Sequence, residues 1–503
     1  MADLTLPLSN STEKPTNKKI LGITSLIMIN VAAALSLRNF PIMAMEGWNM
    51  IFWYGLFTTC FLVPTALVAA ELASTWPRSG GIYSWVKEAY PNDGSFIAIW
   101  CAWLTNIVWL PTILSFFAAT VAYLLLAPQF SGNPVFLAIV MLACLWGVTI
   151  FNSFGARASK LMAGIGIAFG SLIPVSILAV LMIAWIFKGN PSAIGEFSFD
   201  CLIPKFNLST LPFAASLVLM FAGIEIAGYY ARDTKNMRRD YPIALFSAAA
   251  IICIVSIIGT LSVALVVPAG EICLATGVVQ TFQTAFENIS LKWLIIPITI
   301  MIALGTIAQL SMWISGPSKG LVPAAMSGDF PPFCRKLNKY GVPVGILFIQ
   351  GIVSSLLTLA MVLVPSFNDG YWILTSIASL ITVVMYMFLF AAFFKLRRTK
   401  ANVIRPYKVP GGKIGMWLVT CVASVVLFFA FSVGLFPIGT SYTMTGAIVY
   451  AISMLTAVLL IILLPPYLLK KCRKDSWKPT KEEYCEWDSG EQIHETDTTL
   501  SSE

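Results

Sequence analysis

Two charged residues lie deep inside apolar stretches of this sequence. Arg38 sits in the stretch SLRNFP and Glu225 in the stretch MFAGIEIAGYY. A charge at the centre of a bilayer is costly, so such residues usually pair with one another or mark a transport pathway. Glu71 also falls in an apolar stretch, but near its end, where snorkelling or a helix-end contact is enough to explain it.

Both charges stand beside residues that interrupt a helix. Pro41 removes a backbone donor and clashes with the carbonyl four residues earlier, and Gly223 and Gly228 weaken the helix around Glu225. Irregular backbone at membrane depth is tolerated where it lines a cavity, and matched interruptions in the two halves of a chain indicate a transporter site. The positive end of one half-helix suits a carboxylate, and the carbonyls at the end of the other suit an ammonium. A zwitterionic amino acid carries both groups.

We therefore predict a substrate site between these two interrupted segments. Its candidates are Arg38, Asn39 and Phe40 in the first segment and Phe221, Gly223 and Glu225 in the second. Four further candidates lie in the middle of other apolar stretches: Trp103, Gln309, Trp313 and Tyr386. Arg38 either binds a substrate carboxylate or neutralises Glu225, and Glu225 either holds the ammonium or couples a proton. The competing interpretation is a structural ion pair, with glycines that only permit close helix packing.

Composition places these residues in an integral membrane protein. The chain is 58% hydrophobic and 11% charged, where soluble domains carry about 25% charged residues. A membrane-spanning helix needs about 20 apolar residues. Twelve stretches qualify, at about 21–46, 48–73, 95–127, 134–152, 160–187, 210–230, 241–267, 290–322, 343–365, 369–395, 413–436 and 444–469. Residues 271–287 are too polar and too short to span, and we expect a helix on the outer surface there.

The positive residues orient the spans. With the N-terminus in the cytoplasm, all but four of the 32 Lys and Arg residues fall on the cytoplasmic side. The predicted organisation is a cytoplasmic tail over 1–19, a transmembrane domain over 20–470 and an acidic cytoplasmic tail over 471–503. The net charge of +8 follows from this topology and calls for lipid contact rather than a nucleic-acid partner.

The residue inventory argues against other classes of protein. The 10 cysteines form no CxxC pair, and the single histidine, His494, lies in the tail, so we expect no metal site and no cofactor. No arrangement of nucleophile and base appears within the spans, so we expect no enzyme. A channel would need a continuous polar stripe along a pore, and the spans carry only isolated polar residues.

The residues also resemble those of a known family. The matching stretches include FLVPTALVAAELAST, SGGIYSWV, MFAGIEIAGYYARDTKNMRRDYP, WISGPSKG and VPGGKIG. As a set they resemble the amino acid–polyamine–organocation (APC) transporters, and among them the bacterial glutamate:GABA antiporters. The resemblance implies an all-α, LeuT-like fold of 5+5 inverted repeats with spans 1 and 6 broken. It also implies substrate contacts from the broken helices and from Trp103, Gln309, Trp313 and Tyr386.

The resemblance further implies exchange of an amino acid for its decarboxylation product across a bacterial inner membrane. The chain departs from the family at three places. Arg38 to Pro41 replace a YEYP-like run, Gln309 replaces a glutamate, and the C-terminal tail is acidic where the family has a basic, histidine-containing plug. We predict an exchanger of amino acids or amines, with a small-molecule amino acid as its partner and proton coupling left open. A proton-coupled symporter of the same fold is the alternative.

Overall fold

The computed structural model is mostly helical over the part of the chain that it describes, with turns and irregular segments between the helices. It describes residues 21–78, 80–91, 94–155, 162, 164, 166, 168–204, 211–364, 367–437 and 443–480. The predicted N-terminal tail lies outside the described residues, and the C-terminal tail is described only to residue 480. The division into tails and transmembrane domain therefore stays a prediction.

Within the described residues, 11 helical stretches are long and apolar enough to cross a membrane. The stretch predicted at 210–230 is interrupted, and its apolar helix at Ser216–Tyr230 is shorter than a span. The count of 12 therefore stays a prediction. The all-helical character of the fold is confirmed.

The α-helices are labelled in chain order. They are α1 (Ile23–Ala34), α2 (Phe40–Ala44), α3 (Asn49–Phe57), α4 (Val63–Thr75), α5 (Ile82–Ala89), α6 (Gly94–Leu124), α7 (Pro134–Asn152), α8 (Ile173–Phe187) and α9 (Leu211–Phe221). They continue with α10 (Met237–Val266), α11 (Gly277–Asn288), α12 (Ile295–Gly320), α13 (Val322–Met326), α14 (Val344–Leu363), α15 (Phe367–Thr399), α16 (Gly412–Gly434) and α17 (Met444–Lys471).

The first apolar stretch changes direction between α1 and α2. Leu35 (φ −77°, ψ 110°) and Ser36 (φ −126°, ψ 119°) are extended, and a 3₁₀ turn over Leu37–Asn39 leads into α2. The interruption thus lies before Pro41 rather than at it. Pro41 stands in the first turn of α2, where its missing N–H has no helical partner to lose. The last carbonyls of α1 are left to find partners elsewhere.

The sixth apolar stretch is irregular after α9. Gly223 has φ +99°, a left-handed conformation that favours glycine, and a 3₁₀ helix follows at Ile226–Asp233. The Asn30 Oδ1 atom on α1 accepts a hydrogen bond from the Ala227 N–H at 3.1 Å. The Lys235 N–H donates to the Leu21 carbonyl at 2.8 Å. The two irregular stretches therefore lie side by side.

Three long helices, α6, α12 and α15, surround these stretches. α6 packs against α12 and α15, and α1 packs against α10 and α12. α16 and α17 lie at the periphery and expose apolar side chains such as Val425, Phe428 and Leu460. α11, where we predicted a surface helix, packs on α2 because Gly277 lets the ring of Pro41 approach closely. Buried polar residues in the interior and exposed apolar residues at the periphery suit a helical bundle in lipid.

Candidate functional site

Arg38 is fully enclosed, with 1% of its surface exposed. Its Nη1 donates to the Thr112 hydroxyl at 2.9 Å and to the Tyr371 hydroxyl at 2.8 Å, and its Nη2 donates to Asn39 Oδ1 at 3.1 Å. The guanidinium carbon lies 5.5 Å from the ring centre of Trp109, within range of a cation–π interaction. Arg38 therefore joins the first interrupted segment to α6 and α15.

The charge of Arg38 has no acidic partner among the described residues. No carboxylate in that part of the chain lies within 4.0 Å of the guanidinium, and the Nε atom makes no hydrogen bond there. The tyrosine that bonds Arg38 and the tyrosine that bonds Glu225 are Tyr371 and Tyr386 on α15. Their spacing corresponds to about 22 Å of helix. The structure thus gives no ion pair between Arg38 and Glu225.

Glu225 lies in the second interrupted segment and is 3% exposed. The Tyr386 hydroxyl donates to Glu225 Oε2 at 2.7 Å and accepts from the Gly223 N–H at 3.2 Å. The Tyr241 hydroxyl donates to the Glu225 carbonyl at 3.2 Å. One phenol of α15 therefore connects the glutamate to the left-handed turn that positions it.

Two side chains of α12 donate hydrogen bonds to backbone carbonyls at the end of α1. The Trp313 Nε1–H donates to the Ala33 carbonyl at 2.8 Å. Gln309 Nε2 donates to the Ala33 carbonyl at 3.1 Å and to the Leu35 carbonyl at 3.4 Å. These carbonyls are the acceptors that a substrate ammonium could use, and α12 bonds them in this conformation.

Two small cavities lie between the interrupted segments, and each has a volume of about 10 Å³. The Asn39 cavity is lined by Ala33, Ala34, Ser36, Asn39, Thr105, Trp109, Leu219, Gln309 and Trp313. The Glu225 cavity is lined by Ala102, Thr105, Ala222, Glu225, Ile226, Tyr229, Trp313, Pro317, Thr382 and Met385. Thr105 and Trp313 line both. Such a volume holds about one water molecule, so the structure is closed around the site.

The remaining predicted residues point in several directions. Phe40 packs its ring on Gly259 of α10, and Phe221 packs beside Tyr54 with ring centres 6.0 Å apart. Trp103 donates its indole N–H to Gln350 Oε1 on α14 at 2.9 Å and lines neither of the two cavities. The structure therefore groups Asn39, Gln309 and Trp313 at one cavity, with Glu225 at the other, and places Trp103 apart.

Sequence reasoning missed three residues that hold the Arg38 guanidinium. Trp109 and Thr112 lie one turn apart on the same face of α6, a spacing that could have pointed to them together. The aromatic ring of Trp109 also lies 5.5 Å from that of Trp313. Tyr371 gives no such signal, because only the packing of α15 against the first segment brings it there.

Glu71 differs from the expectation of a simple helix-end contact. It is 1% exposed, and its Oε1 lies 2.9 Å from Arg405 Nε and 3.3 Å from Arg397 Nε. The Val409 N–H donates to its Oε2 at 2.7 Å. The glutamate is thus the centre of a buried ionic cluster between α4, α15 and the segment after α15. Sequence spacing cannot show this, because the partners lie over 300 positions away.

Comparisons with known proteins show which family this chain is similar to. The amino acid permease family model matches residues 21–463. An uncharacterized transporter of Legionella pneumophila is 37% identical over 422 residues, which cover 84% of this chain and 90% of the relative. A glutamate/gamma-aminobutyrate antiporter of Lactococcus lactis is 30% identical over 427 residues, which cover 84% of each protein.

A solved structure shows the same fold. The crystal structure of MhsT in complex with L-phenylalanine superposes with a TM-score of 0.63 at 13% identity, over 83% of this chain and 99% of that one. This likeness confirms the predicted LeuT-like fold class. The enclosed polar site, the spanning helices and the family match lead to one conclusion: the chain belongs to the amino acid permease family and is a multi-pass membrane transporter of amino acids.

Proposed function

We propose that this transporter exchanges an acidic amino acid for a related amino acid or amine by alternating access. The observation that carries the proposal is the buried Arg38 guanidinium, which no carboxylate of the described residues neutralises. An unpaired cation inside a membrane protein is costly, and a bidentate contact with a carboxylate is a strong way to compensate it. Arg38 donates a hydrogen bond to the side chain of Asn39, which lines the Asn39 cavity.

The Asn39 cavity also has a backbone acceptor that suits an ammonium. There the Ala33 carbonyl accepts from Gln309 and Trp313, and both donors are side chains that can rotate away. An acidic amino acid would place a carboxylate toward Arg38 and its ammonium toward Ala33. In this proposal the substrate-binding residues are Arg38, Asn39, Gln309, Trp313, Glu225 and Tyr386, with Phe40, Phe221 and Gly223 holding the backbone of the interrupted segments. Trp103 stays a more distant candidate.

A conformational change is needed for either substrate to enter. The two cavities hold about one water molecule each, and Trp313 stands between them. Trp313 Cζ2 would lie 2.8 Å from a Cβ atom at Gly223, so the indole and the second interrupted segment are in close contact. We propose that withdrawal of the Trp313 side chain joins the two cavities into the substrate site.

The proposal of exchange is taken from a related protein. The Lactococcus lactis relative is a glutamate/gamma-aminobutyrate antiporter, which suggests glutamate and its amine as the pair. Proton-coupled symport is the second candidate, because Glu225 is a buried carboxylate bonded to one phenol and able to carry a proton. We place the protein in a bacterial inner membrane with both termini in the cytoplasm, following the bias of its positive residues.

The test of the acidic-substrate site is Arg38→Gln in proteoliposomes, with labelled glutamate and labelled glutamine as substrates. A hydrogen bond to a charged group contributes about 1.5–3 kcal/mol, so we expect glutamate uptake at low concentration to fall roughly 10- to 100-fold. Glutamine uptake should change less. Arg78→Gln is the matched control, because Arg78 lies at the protein surface 3.4 Å from Glu88. Equal loss of both substrates, or no loss, contradicts the proposed role of Arg38.

A further inference from the structure

Two glycine-containing stretches of the sequence meet at the side chain of Tyr229. They are SGGIYSWV at residues 79–86 and WISGPSKG at residues 313–320. Gly81 is the residue before α5, and Gly320 is the last residue of α12. Tyr229 lies in the 3₁₀ helix at Ile226–Asp233, which follows Glu225, and only 5% of its surface is exposed.

The ring of Tyr229 occupies a slot whose walls are the glycines 81, 316 and 320, here called the Tyr229 slot. A Cβ atom at Gly81 would lie 2.7 Å from Cδ1 of the ring, and one at Gly320 would lie 2.6 Å from Cε1. A Cβ atom at Gly316 would lie 3.5 Å from Cδ2, on the other edge. Carbon atoms in contact are normally about 3.5–4.0 Å apart, so a side chain at Gly81 or Gly320 would displace the ring.

The order of residues along α12 places the slot beyond the Glu225 cavity. Trp313 lines both cavities, Pro317 lines only the Glu225 cavity, and Gly320 belongs to the slot. Tyr229 itself lines the Glu225 cavity. Its ring therefore extends from this cavity to the end of α12.

The neighbouring helix α6 gives the same order in the opposite chain direction. Ile99 lies at the slot, because its Cδ1 would be 2.9 Å from a Cβ atom at Gly320. One turn later Ala102 lines the Glu225 cavity, and Trp109 lines the Asn39 cavity. Both helices thus arrange the slot, the Glu225 cavity and the Asn39 cavity in one row.

The slot lies at the end of the bundle where α17 ends. The Tyr83 hydroxyl in α5, just after Gly81, is hydrogen-bonded to the Ser327 hydroxyl at 3.1 Å. Arg473, two residues after α17, donates to the Ser327 carbonyl at 2.7 Å. We call this end the C-terminal face. The Tyr229 ring lies between the Glu225 cavity and this face.

We propose that the Tyr229 ring is a gate between the Glu225 cavity and the C-terminal face, and that substrate passes only when the ring leaves its slot. Two walls of the slot belong to α12 and the third precedes α5, so separation of α12 from α5 frees the ring. The same helix α12 carries Trp313, which links the gate to the substrate site. The inference rests on the alternating access of the proposed function, but not on the identity of the substrate or on exchange.

The experiment is the labelling of a cysteine beside the Glu225 cavity with a membrane-impermeant maleimide, in membrane vesicles of both orientations. Thr382→Cys supplies the reporter, because Thr382 lines this cavity and is fully buried. The native Cys472 is exposed directly after α17, so its labelling identifies the vesicles with the C-terminal face outside. Mass spectrometry of the labelled peptides separates the two sites.

Adding Tyr229→Ala should speed the labelling of the reporter about tenfold or more, because the reagent reacts with the open population. We expect this rise only in vesicles with the C-terminal face outside. Tyr230→Ala is the matched control, since it removes a second buried tyrosine ring that does not line the Glu225 cavity. Gly320→Ala is the second variant: its methyl group overlaps the Tyr229 ring and should raise labelling at the same face.

An unchanged rate in Tyr229→Ala overturns the proposal. An equal rise at both faces, or an equal rise in Tyr230→Ala, does so too, because it would show general loosening of the bundle. If Tyr229→Ala loses its monodisperse profile, Gly320→Ala decides in its place. The labelling needs no substrate, so an error in the acidic-substrate assignment leaves this result unchanged and the two failures are distinguishable.

Discussion

Gly259 on α10 offers a way to disturb the candidate site from a distance. A Cβ atom at this position would lie 2.2 Å from Cε2 and 2.6 Å from Cζ of the Phe40 ring. Carbon atoms in contact are normally about 3.5–4.0 Å apart, so the ring must move by more than 1 Å. Phe40 directly follows Arg38 and Asn39 and is fully buried. Gly259→Ala should therefore shift the 3₁₀ turn that carries the guanidinium.

The expected size of this effect follows from the overlap. Overpacking of a tight core by one methyl group costs about 1–3 kcal/mol. If this steric cost appears as weaker hydrogen bonds from Arg38 to Thr112 and Tyr371, glutamate uptake at low concentration should fall roughly 5- to 100-fold. The double variant Gly259→Ala with Phe40→Leu removes the clashing ring atoms and should recover much of the loss.

The assay is uptake into proteoliposomes, normalised to the amount of monodisperse protein. Gly55→Ala is the control, because a Cβ atom at that helical position meets nothing within 4 Å. We expect normal uptake for the control and a positive coupling between Gly259 and Phe40 in the double variant. Normal uptake by Gly259→Ala, or no recovery in the double variant, would refute the reasoning that Phe40 positions Arg38.

Three further substitutions test other parts of the structure. Tyr386→Phe removes the hydroxyl donor that lies 2.7 Å from the Glu225 carboxylate, and it should lower glutamate uptake about tenfold or more. The size-exclusion profile of the protein should not change. Unaltered uptake would contradict a role for this hydrogen bond. Glu71→Gln leaves two buried arginines without their carboxylate and should cost about 3–5 kcal/mol of stability. The measurement is the melting temperature, which should fall in Glu71→Gln but not in the control Glu88→Gln, because Glu88 is partly exposed. Burial raises the pKa of Glu46, between α2 and α3, to about 7. The folded state therefore holds this proton more tightly than the unfolded state, and stability should fall by up to about 3 kcal/mol as pH rises from about 4.5 to 7. Glu46→Gln should remove that slope in melting experiments between pH 5 and 8, and an unchanged slope would count against it.

The sequence predicted the fold class because the strongest signals are local. Long apolar stretches define most of the spans, and their boundaries agree with the helices to within a few residues. The interruption near Arg38 was placed less well, since Pro41 begins a helix instead of ending one. A proline indicates a change in the chain but not on which side of it the helix stops.

Sequence reasoning proposed the two buried charges of the candidate site but did not predict their partners. Arg38 and Glu225 are the two charges deep in the spans, and sequence alone left open whether they meet. The structure gives each its own tyrosine on α15. Such pairings depend on how helices distant in sequence pack together. The partners of Arg38 on α6 and α15 lie 74 and 333 positions away, so no local pattern could identify them.

Counterflow tests the central claim of exchange most directly. Labelled glutamate uptake would be measured in proteoliposomes that are empty or preloaded with glutamate or gamma-aminobutyrate, at pH 5.5 and 7.5. We predict strong stimulation by preloading at one or both pH values, and its loss in Arg38→Gln. Uptake into empty vesicles that a proton gradient drives, with no stimulation by preloading, would contradict exchange and favour the symporter.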